Sequence, residues 1–420
     1  MNVEKRLTFL SYFIFALLGI TCVSQGILII YYSAAYRLTL AQVGYCFFIT
    51  AVVQAIVTFS NGYILEKVSI KKEVFIGLGA VFISLILLIT GVFTLYLISL
   101  FVLGIGYGLL LSVPNYLIIT IHSNNKFQKL NILNFAYSFG GIIGPLCLGK
   151  LLGMSVPWQL AVLICNILII LLFIYVLKIP FGIIKMNSEN ENASLIKKET
   201  GHWHISIYLI AGAILFYVLS EYTFSTWIVS YLKLKYHYPI FYSSLGLTIF
   251  WLFITFGRFA SDKIGRYMKV YKFILISSSV GFAAYILLFL TSNISFIFAM
   301  IAIMGVGYAG LYASILSYGV DQRAYNDPKL MSFLVLAGTI GSILALPMSS
   351  FLVHHISIRA ALIGGVVIMG LVILTITLSL YDKSNLAVTY KKIRIWGAIS
   401  NITCLTFVKK ILKKSIQERF

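Results

Sequence analysis

Residues 96–121 read YLISLFVLGIGYGLLLSVPNYLIITI, a run of 26 residues without a charged side chain. A helix of about 20 apolar residues spans the hydrocarbon core of a bilayer, where each backbone amide must be satisfied within the helix. The run therefore predicts a membrane-spanning helix. Its central motif, LGIGYG at residues 103–108, recurs as MGVGYAG at residues 304–310, 201 residues later.

The composition of the whole chain is that of a polytopic membrane protein. Of the 420 residues, 60% are apolar and 10% are charged, and the mean hydropathy is +0.98. A soluble chain carries about 25% charged residues, so a sizeable extramembrane catalytic domain is excluded. The apolar runs are too long and too uniform for the roughly 10-residue alternating strands of a membrane barrel. We therefore predict an all-α membrane protein.

Twelve apolar runs predict twelve spanning helices. The first six lie near Thr8–Tyr36, Leu40–Leu65, Val74–Thr94, Tyr96–Ile121, Asn131–Gly153 and Pro157–Ile179. The second six lie near Ile205–Leu232, Pro239–Ala260, Tyr271–Thr291, Ile294–Tyr318, Leu330–His354 and Ile358–Tyr381. Between them stands the polar stretch KMNSENENASLIKKETGHWH. We expect a first bundle at 1–184, a linker at 185–204, a second bundle at 205–381 and a basic tail at 382–420.

The two halves resemble each other at a nearly constant offset. The sequence GIIG at 141–144 recurs as GTIG at 338–341, and EK at 66–67 is matched by DK at 262–263. Glycines also occur in membrane helices simply because they allow close packing. Their repetition at equivalent places in the two halves indicates a tandem duplication. Two parallel six-helix bundles with a solute site between them near the midplane is a known transporter design.

The distribution of basic residues predicts the orientation. Alternate loops and the termini assign 27 Lys and Arg to one face and 5 to the other. By the positive-inside rule, both termini and the linker are cytoplasmic. The first run is too long for a signal peptide and no convincing cleavage site follows it, so we expect an uncleaved first span.

Two loops resemble the G-x-L-x-D-x-x-G-R-K signature of the major facilitator superfamily. They read GYILEKVSIKK at 62–72 and, as a closer match, GRFASDKIGR at 257–266. The resemblance implies a charge-assisted latch of the inward-closed state, built by Glu66, Lys67, Asp262 and Arg266, since an acid at a helix end can accept from basic groups or a helix N-terminus. Ordinary positive-inside loop charge is the alternative.

A narrower resemblance covers nearly the whole chain. The stretch DPKLMSFLVLAGTIG at 327–341 is similar to the P-K-L-x-x-F-x-x-x-x-G-T-I-G segment of TsgA-type proteins, which are relatives of the fucose permease group. The residues FYVL at 216–219, with Trp227 after them, resemble the seventh helix of the same type. Fucose permeases carry a protonatable acid where Leu111 stands here, and the acid of their first helix is also missing. The resemblance thus implies the fold and transport, without the intact sugar–proton mechanism.

Polar residues inside the spans are the candidate solute-binding groups, because an ionised group at the bilayer centre costs at least about 2.5 kcal/mol and usually faces a cavity. Glu221 is the only acid within a predicted span, and it is a candidate for proton exchange. Gln25 and Asn115 can donate and accept hydrogen bonds, while Trp227 and Tyr308 could stack on a sugar or a cation. The alternatives are contacts between helices and, for Trp227, anchoring at the membrane interface.

We therefore predict a secondary transporter that moves a small solute by alternating access, with coupling to protons left open. No phosphate-binding G-x-x-x-x-G-K-S/T sequence is present, so ATP is not the expected driver. We expect no enzymatic activity, no cofactor and no metal site. The alternatives are a transport-inactive sensor or assembly protein on a transporter fold and, less favoured, a lipid-modifying membrane enzyme.

The expected surroundings are a bacterial inner membrane, in which the chain is a multi-pass monomer. The formal charge of +20 lies in loops and in the tail, without the aromatic-interleaved basic face of a nucleic-acid binder, so no nucleic-acid partner is predicted. Residues 382–420 carry 9 basic and 2 acidic side chains. They form either an interfacial helix on anionic lipid or a disordered basic extension.

Overall fold

The computed structural model of the chain describes residues 3–122, 126–179, 203–264, 267–322 and 328–381. Within these ranges it describes all side chains except those at 62–67, 126–128, 262–264 and 328–329. The predicted linker, apart from its last two residues, and the predicted tail therefore lie outside the described residues.

All twelve predicted helices form, and every regular element in the described ranges is helical. The first six are α1 (Val3–Tyr36), α2 (Leu40–Lys67), α3 (Ile70–Leu88), α4 (Phe93–Ile121), α5 (Lys126–Gly153) and α6 (Trp158–Leu177). The second six are α7 (Ile205–Tyr236), α8 (Ile240–Ile264), α9 (Val270–Leu287), α10 (Ile294–Val320), α11 (Pro328–His355) and α12 (Ile358–Tyr381).

Eleven of these helices are long and apolar enough to cross a membrane. The exception is α3, whose first turn carries the three charged residues Lys71, Lys72 and Glu73. These charges stand at one end of the helix, and the remainder of α3 is apolar. The helix therefore completes the set of twelve by its place between α2 and α4, and the predicted multi-pass helical architecture is confirmed.

Two helices are broken where the sequence predicted continuous spans. The break in α10 separates Ile294–Tyr308 from Leu311–Val320, and Gly310 there adopts a φ of 72°. This left-handed conformation suits glycine because a Cβ would be strained. The break leaves the carbonyl of Tyr308 free to accept a hydrogen bond from the Tyr217 hydroxyl at 3.2 Å. The second break, in α6, separates Trp158–Cys165 from Leu168–Leu177.

The two halves of the chain form two bundles that meet along three pairs of helices. The pairs are α1 with α7, α5 with α8, and α2 with α11. Each pair takes one helix from each half: α1 and α7 are the first helices of their halves, while in the other two pairs the second helix of one half meets the fifth helix of the other, as expected for a duplicated unit. These three pairs are therefore the places at which the halves can move against each other.

The repeated glycines make equivalent contacts in the two bundles. A Cβ at Gly104 would lie 2.8 Å from the Thr50 carbonyl oxygen on α2, and one at Gly305 would lie 2.8 Å from the Phe250 carbonyl oxygen on α8. Each contact joins the fourth helix of its half to the second. The sequence repeat is thus also a repeat of packing, in which glycine allows two helix backbones to approach closely.

Gly307→Ala should destabilise the protein more than Gly79→Ala. A Cβ at position 307 would lie 2.5 Å from the backbone nitrogen of Gly281, whereas one at position 79 meets only the end of the Phe173 ring, at 3.9 Å. We expect overpacking at position 307 to cost about 1–3 kcal/mol, while position 79 gains helix propensity of up to about 1 kcal/mol. Thermal unfolding of the detergent-purified variants measures the difference. Equal melting temperatures would show that this close approach does not hold the second bundle.

Candidate functional site

A cavity of about 1340 Å³ lies between the two bundles. Its wall is built by α1, α2, α4 and α5 from the first bundle and by α7, α8, α10 and α11 from the second. The cavity is thus shared between the halves, at the place that the duplicated architecture predicts. A volume of this size exceeds that of typical small-molecule sites, which are about 300–1,000 Å³, so it accommodates a solute together with water.

The cavity is closed towards one face of the protein. We use the name linker face for the side of the protein where α1 begins and where α6 and α12 end. In the halves of the helices that point away from it, small residues bring the bundles into contact. A Cβ at Gly26 on α1 would lie 2.5 Å from the Ser225 carbonyl oxygen on α7. At Gly149 a Cβ would overlap the Ser244 hydroxyl. These contacts seal the end opposite the linker face.

The cavity opens at the linker face between α2 and α11. Phe59 on α2 and Met331 on α11 both line it, and they are 82% and 51% exposed. On the other side, α5 and α8 stay joined near the same face. There Arg258 Nη1 donates to Ser138 Oγ at 2.7 Å. The opening therefore lies on one side of the molecule, with an apolar rim.

One acid and one base face the cavity from the second bundle. Glu221 on α7 and Arg258 on α8 both line it. The Arg258 guanidinium and the Tyr217 hydroxyl are the groups that act electrostatically on the Glu221 carboxyl. Glu221 is 8% exposed, so burial of its carboxyl disfavours the charged form, while the positive charge of Arg258 acts in the opposite direction. The site can thus present both signs of charge to a solute.

The cavity wall is also rich in tyrosine and tryptophan side chains. Tyr137 on α5 and Trp251 on α8 both line the cavity, and their rings meet edge to face with centroids 5.9 Å apart. Three further tyrosines contribute to the wall, Tyr107, Tyr222 and Tyr312. Rings of this kind offer both an apolar face and a polar tip, which suits a solute that has a flat ring as well as hydrogen-bonding groups.

The structure places two of the five predicted solute-binding residues on the cavity wall, Gln25 and Glu221. Trp227 is buried and donates from Nε1 to Ser349 Oγ at 2.8 Å. Tyr308 is buried, with its hydroxyl 2.7 Å from Ser220 Oγ. Asn115 Nδ2 donates to the Leu111 carbonyl of its own helix at 2.8 Å. For all five residues, a role in solute binding stays a prediction.

Two charged residues are not among the predicted solute-binding residues, although the structure buries one and places the other on the cavity wall. Arg258 belongs to the loop signature and also falls inside the eighth predicted span. A charge within a span is itself a signal of a cavity. Glu73 fell just outside the third predicted span. In the structure it is 1% exposed, and its carboxylate oxygens have no hydrogen-bond partner that meets the usual geometry among the described residues. It is thus a second buried acid.

The four predicted latch residues lie outside the described side chains. At Glu66, Lys67 and Asp262 only the helix backbone is described. Arg266 lies outside the described residues altogether. Their role stays a prediction.

A cavity shared by two repeated helical bundles, sealed towards one face and open towards the other, defines a membrane transporter rather than an enzyme. The chain belongs to the Major Facilitator Superfamily, since the sequence profile of that family matches residues 8–325. The similarity to the TsgA type is confirmed as well. The chain is 22% identical to the protein TsgA homolog of Yersinia pestis (strain Pestoides F) over 363 residues, covering 85% of this chain and 90% of that protein.

Solved structures share the fold. The nucleoside transporter NupG superimposes with a TM-score of 0.70 at 15% identity, covering 91% of this chain and 99% of that one. A bacterial homolog of the human lysosomal transporter Spinster, in an inward-facing and unoccupied conformation, gives a TM-score of 0.63 at 13% identity, with 91% and 98% covered. The chain is thus a multi-pass membrane protein, and its bacterial relatives agree with the predicted inner membrane.

Cys22 should react with a water-soluble maleimide much faster than Cys165. Both thiols are partly buried, yet Cys22 lines the large cavity, whereas Cys165 lines a pocket of about 10 Å³ inside the first bundle. Alkylation needs the thiolate, and hence water, so we expect a difference of about tenfold or more between single-cysteine variants. Mass spectrometry of the labelled protein measures both rates. Equal rates would mean that the cavity is not open to water.

Proposed function

We propose that the chain is a secondary transporter that moves a small polar solute between the two faces by alternating access. The observation that carries the proposal is the asymmetry of the cavity, which is sealed at one end by contacts between the bundles and open at the other. Rocking of the bundles about the same three helix pairs would open the sealed end and close the open one. Under the predicted orientation, the described conformation faces the cytoplasm.

The small residues at the sealed end support a reversible closure. Gly26 and Gly149 allow the helices of the two bundles to approach closely at this end. Contacts of this kind can separate at little cost, because they immobilise few side-chain rotamers. A long side chain also crosses the seal, since Lys233 Nζ on α7 lies 5.4 Å from the centroid of the Tyr31 ring on α1. Opening of this end would separate both kinds of contact.

The lining favours a solute that is polar, neutral or zwitterionic, and carries a ring. Glu221 and Arg258 would bind groups of opposite charge or a hydrogen-bonding edge, while Tyr107, Tyr137 and Trp251 offer faces for stacking. A nucleoside or a sugar has these features. That one structural neighbour is described as a nucleoside transporter makes nucleosides the first class to test.

We further propose that Glu221 couples transport to protons. Its carboxyl lines the cavity together with Arg258; burial favours the protonated form of the carboxyl, whereas the positive charge of Arg258 favours the ionised form. Proton uptake by Glu221 would weaken this attraction and leave Arg258 to its bond with Ser138, which crosses between the bundles. The protonation state of Glu221 would thereby change the balance between the two conformations, which is what coupling requires.

The latch completes the proposed cycle at the linker face. Glu66, Lys67, Asp262 and Arg266 stand where the second and eighth helices end, one set in each half. When the cavity closes at this face, the acid of each set would meet basic groups or a helix N-terminus. Solvated pairs of about 1 kcal/mol or less suit a latch that must open in each cycle.

Glu221→Gln should abolish accumulation driven by a proton gradient while leaving exchange of solute across the membrane. The amide keeps the size and hydrogen bonding of the protonated acid, but it cannot release a proton. With one proton per solute, a gradient of about one pH unit supports about tenfold accumulation. Vesicles containing the purified protein are tested with labelled nucleosides, sugars and amino acids, and a pH-sensitive dye inside the vesicles reports proton entry.

The matched control is Glu73→Gln, which removes the other buried acid, one that does not line the cavity. We expect it to retain proton-driven accumulation. Accumulation by Glu221→Gln equal to that of the native chain would show that Glu221 is not the coupling group. If solutes bind to the native protein and none crosses the membrane, the proposed transport is wrong, and a sensor on a transporter fold is favoured.

A further inference from the structure

A second, much smaller polar pocket lies inside the first bundle. It has a volume of about 10 Å³, and α1, α3, α5 and α6 enclose it. Five of its residues lie on one face of α1, at the helical spacing of three or four residues from one turn to the next. They are Thr21, Ser24, Gln25, Leu28 and Tyr32. The pocket adjoins the solute cavity, because Gln25 lines both.

Four polar atoms around this pocket have no hydrogen-bond partner among the described residues. They are Ser24 Oγ, Gln25 Oε1, Tyr32 Oη and Asn166 Oδ1. Ser24 is 5% exposed and Tyr32 is fully buried. An unpaired polar group at such depth costs about 1–3 kcal/mol. Four of them around one pocket indicate that a common partner satisfies them.

Asn166 lies at the break in α6, which otherwise has no evident cause. Between Cys165 and Leu168 the sequence contains neither glycine nor proline. Asn166 Nδ2 donates to the Val162 carbonyl at 2.8 Å, and the backbone N–H of Asn166 shares the same acceptor at 3.1 Å. The side chain thus competes with the helix for this carbonyl. The nitrogen of the side chain is thus engaged, while Asn166 lines the pocket and its Oδ1 has no partner among the described residues.

We propose that this pocket binds one structural water molecule, which fixes the orientation of Gln25. The volume matches the roughly 10–15 Å³ that a single water requires, and the four groups match its hydrogen-bonding capacity of 2–4 bonds. The hydroxyls of Ser24 and Tyr32 donate to the water, and the water donates to the amide oxygens of Gln25 and Asn166. Because no carboxylate lines the pocket, a desolvated cation would lack a counter-charge.

The consequence for the transporter rests on the proposed function. With its Oε1 held inside the bundle, Gln25 offers its amide N–H groups to the cavity. The solute atom that meets Gln25 is then an acceptor, such as a hydroxyl, carbonyl or ring-nitrogen lone pair. Asn166, which does not line the cavity, is on this account a positioning residue for solute recognition.

The test is a structure of the purified full-length protein at a resolution that shows ordered water, compared between native and variant chains. In the native chain we expect one density peak about 2.7–3.2 Å from at least three of the four atoms. Asn166→Leu should remove the peak and release Gln25 into another rotamer. Leu148→Met changes an apolar wall residue of the same pocket at nearly constant volume and should preserve both the peak and the rotamer.

If Asn166→Leu does not fold, a double variant replaces it in the test. Ser24→Ala with Tyr32→Phe removes both donors, and we expect this variant to lose the peak. A native pocket without density, or a Gln25 rotamer unchanged after the peak is lost, contradicts the proposal. A peak with contacts of about 2.3–2.6 Å, typical of a hard cation, that vanishes when sodium is replaced by choline would also overturn it. None of these outcomes depends on transport, so the proposed function is tested separately.

Discussion

The structure depends on one constraint, which is that a backbone amide in hydrocarbon has no water to bind. Each crossing must therefore be a helix, and any interruption must be compensated within the protein. Both interruptions follow this rule. The Tyr308 carbonyl, freed at the break in α10, accepts from Tyr217. At the break in α6, the backbone N–H groups of Asn166 and Ile167 donate to carbonyls three residues back, each at 3.2 Å.

Close approach of backbones is the second element of the design, and it accounts for both the rigid bundles and the sealed end. Within each bundle, the fourth helix packs on the second through Gly104 or Gly305. Between the bundles, Gly26 makes a contact of the same kind with the Ser225 carbonyl, and Gly149 leaves room for the Ser244 side chain. Small residues thus make each half a compact body and leave the contacts between halves easy to separate. A transporter that alternates between two states requires this combination.

The sequence predicted the helices and the duplication well, because hydrophobic length and repeated glycines depend on nothing beyond the chain itself. It predicted the site less completely. Gln25 and Glu221 line the cavity as expected, whereas Trp227 and Tyr308 are buried in contacts between helices. Which face of a helix a residue occupies depends on the neighbouring helices. Arg258 lies within a predicted apolar span, and a charged residue there predicts a cavity. Its place in the loop signature favoured a role at the membrane surface instead.

The central claim is that the two ends of the cavity open in alternation, and spin labels measure it directly. One pair, at Phe59 and Met331, spans the open end, and a second, at Gln42 and His354, spans the sealed end. All four positions are exposed. In lipid, pulsed electron resonance should show two distance populations for each pair, and conditions that lengthen one distance should shorten the other. A single unchanging distance at the sealed end, whatever the open end does, would contradict the account.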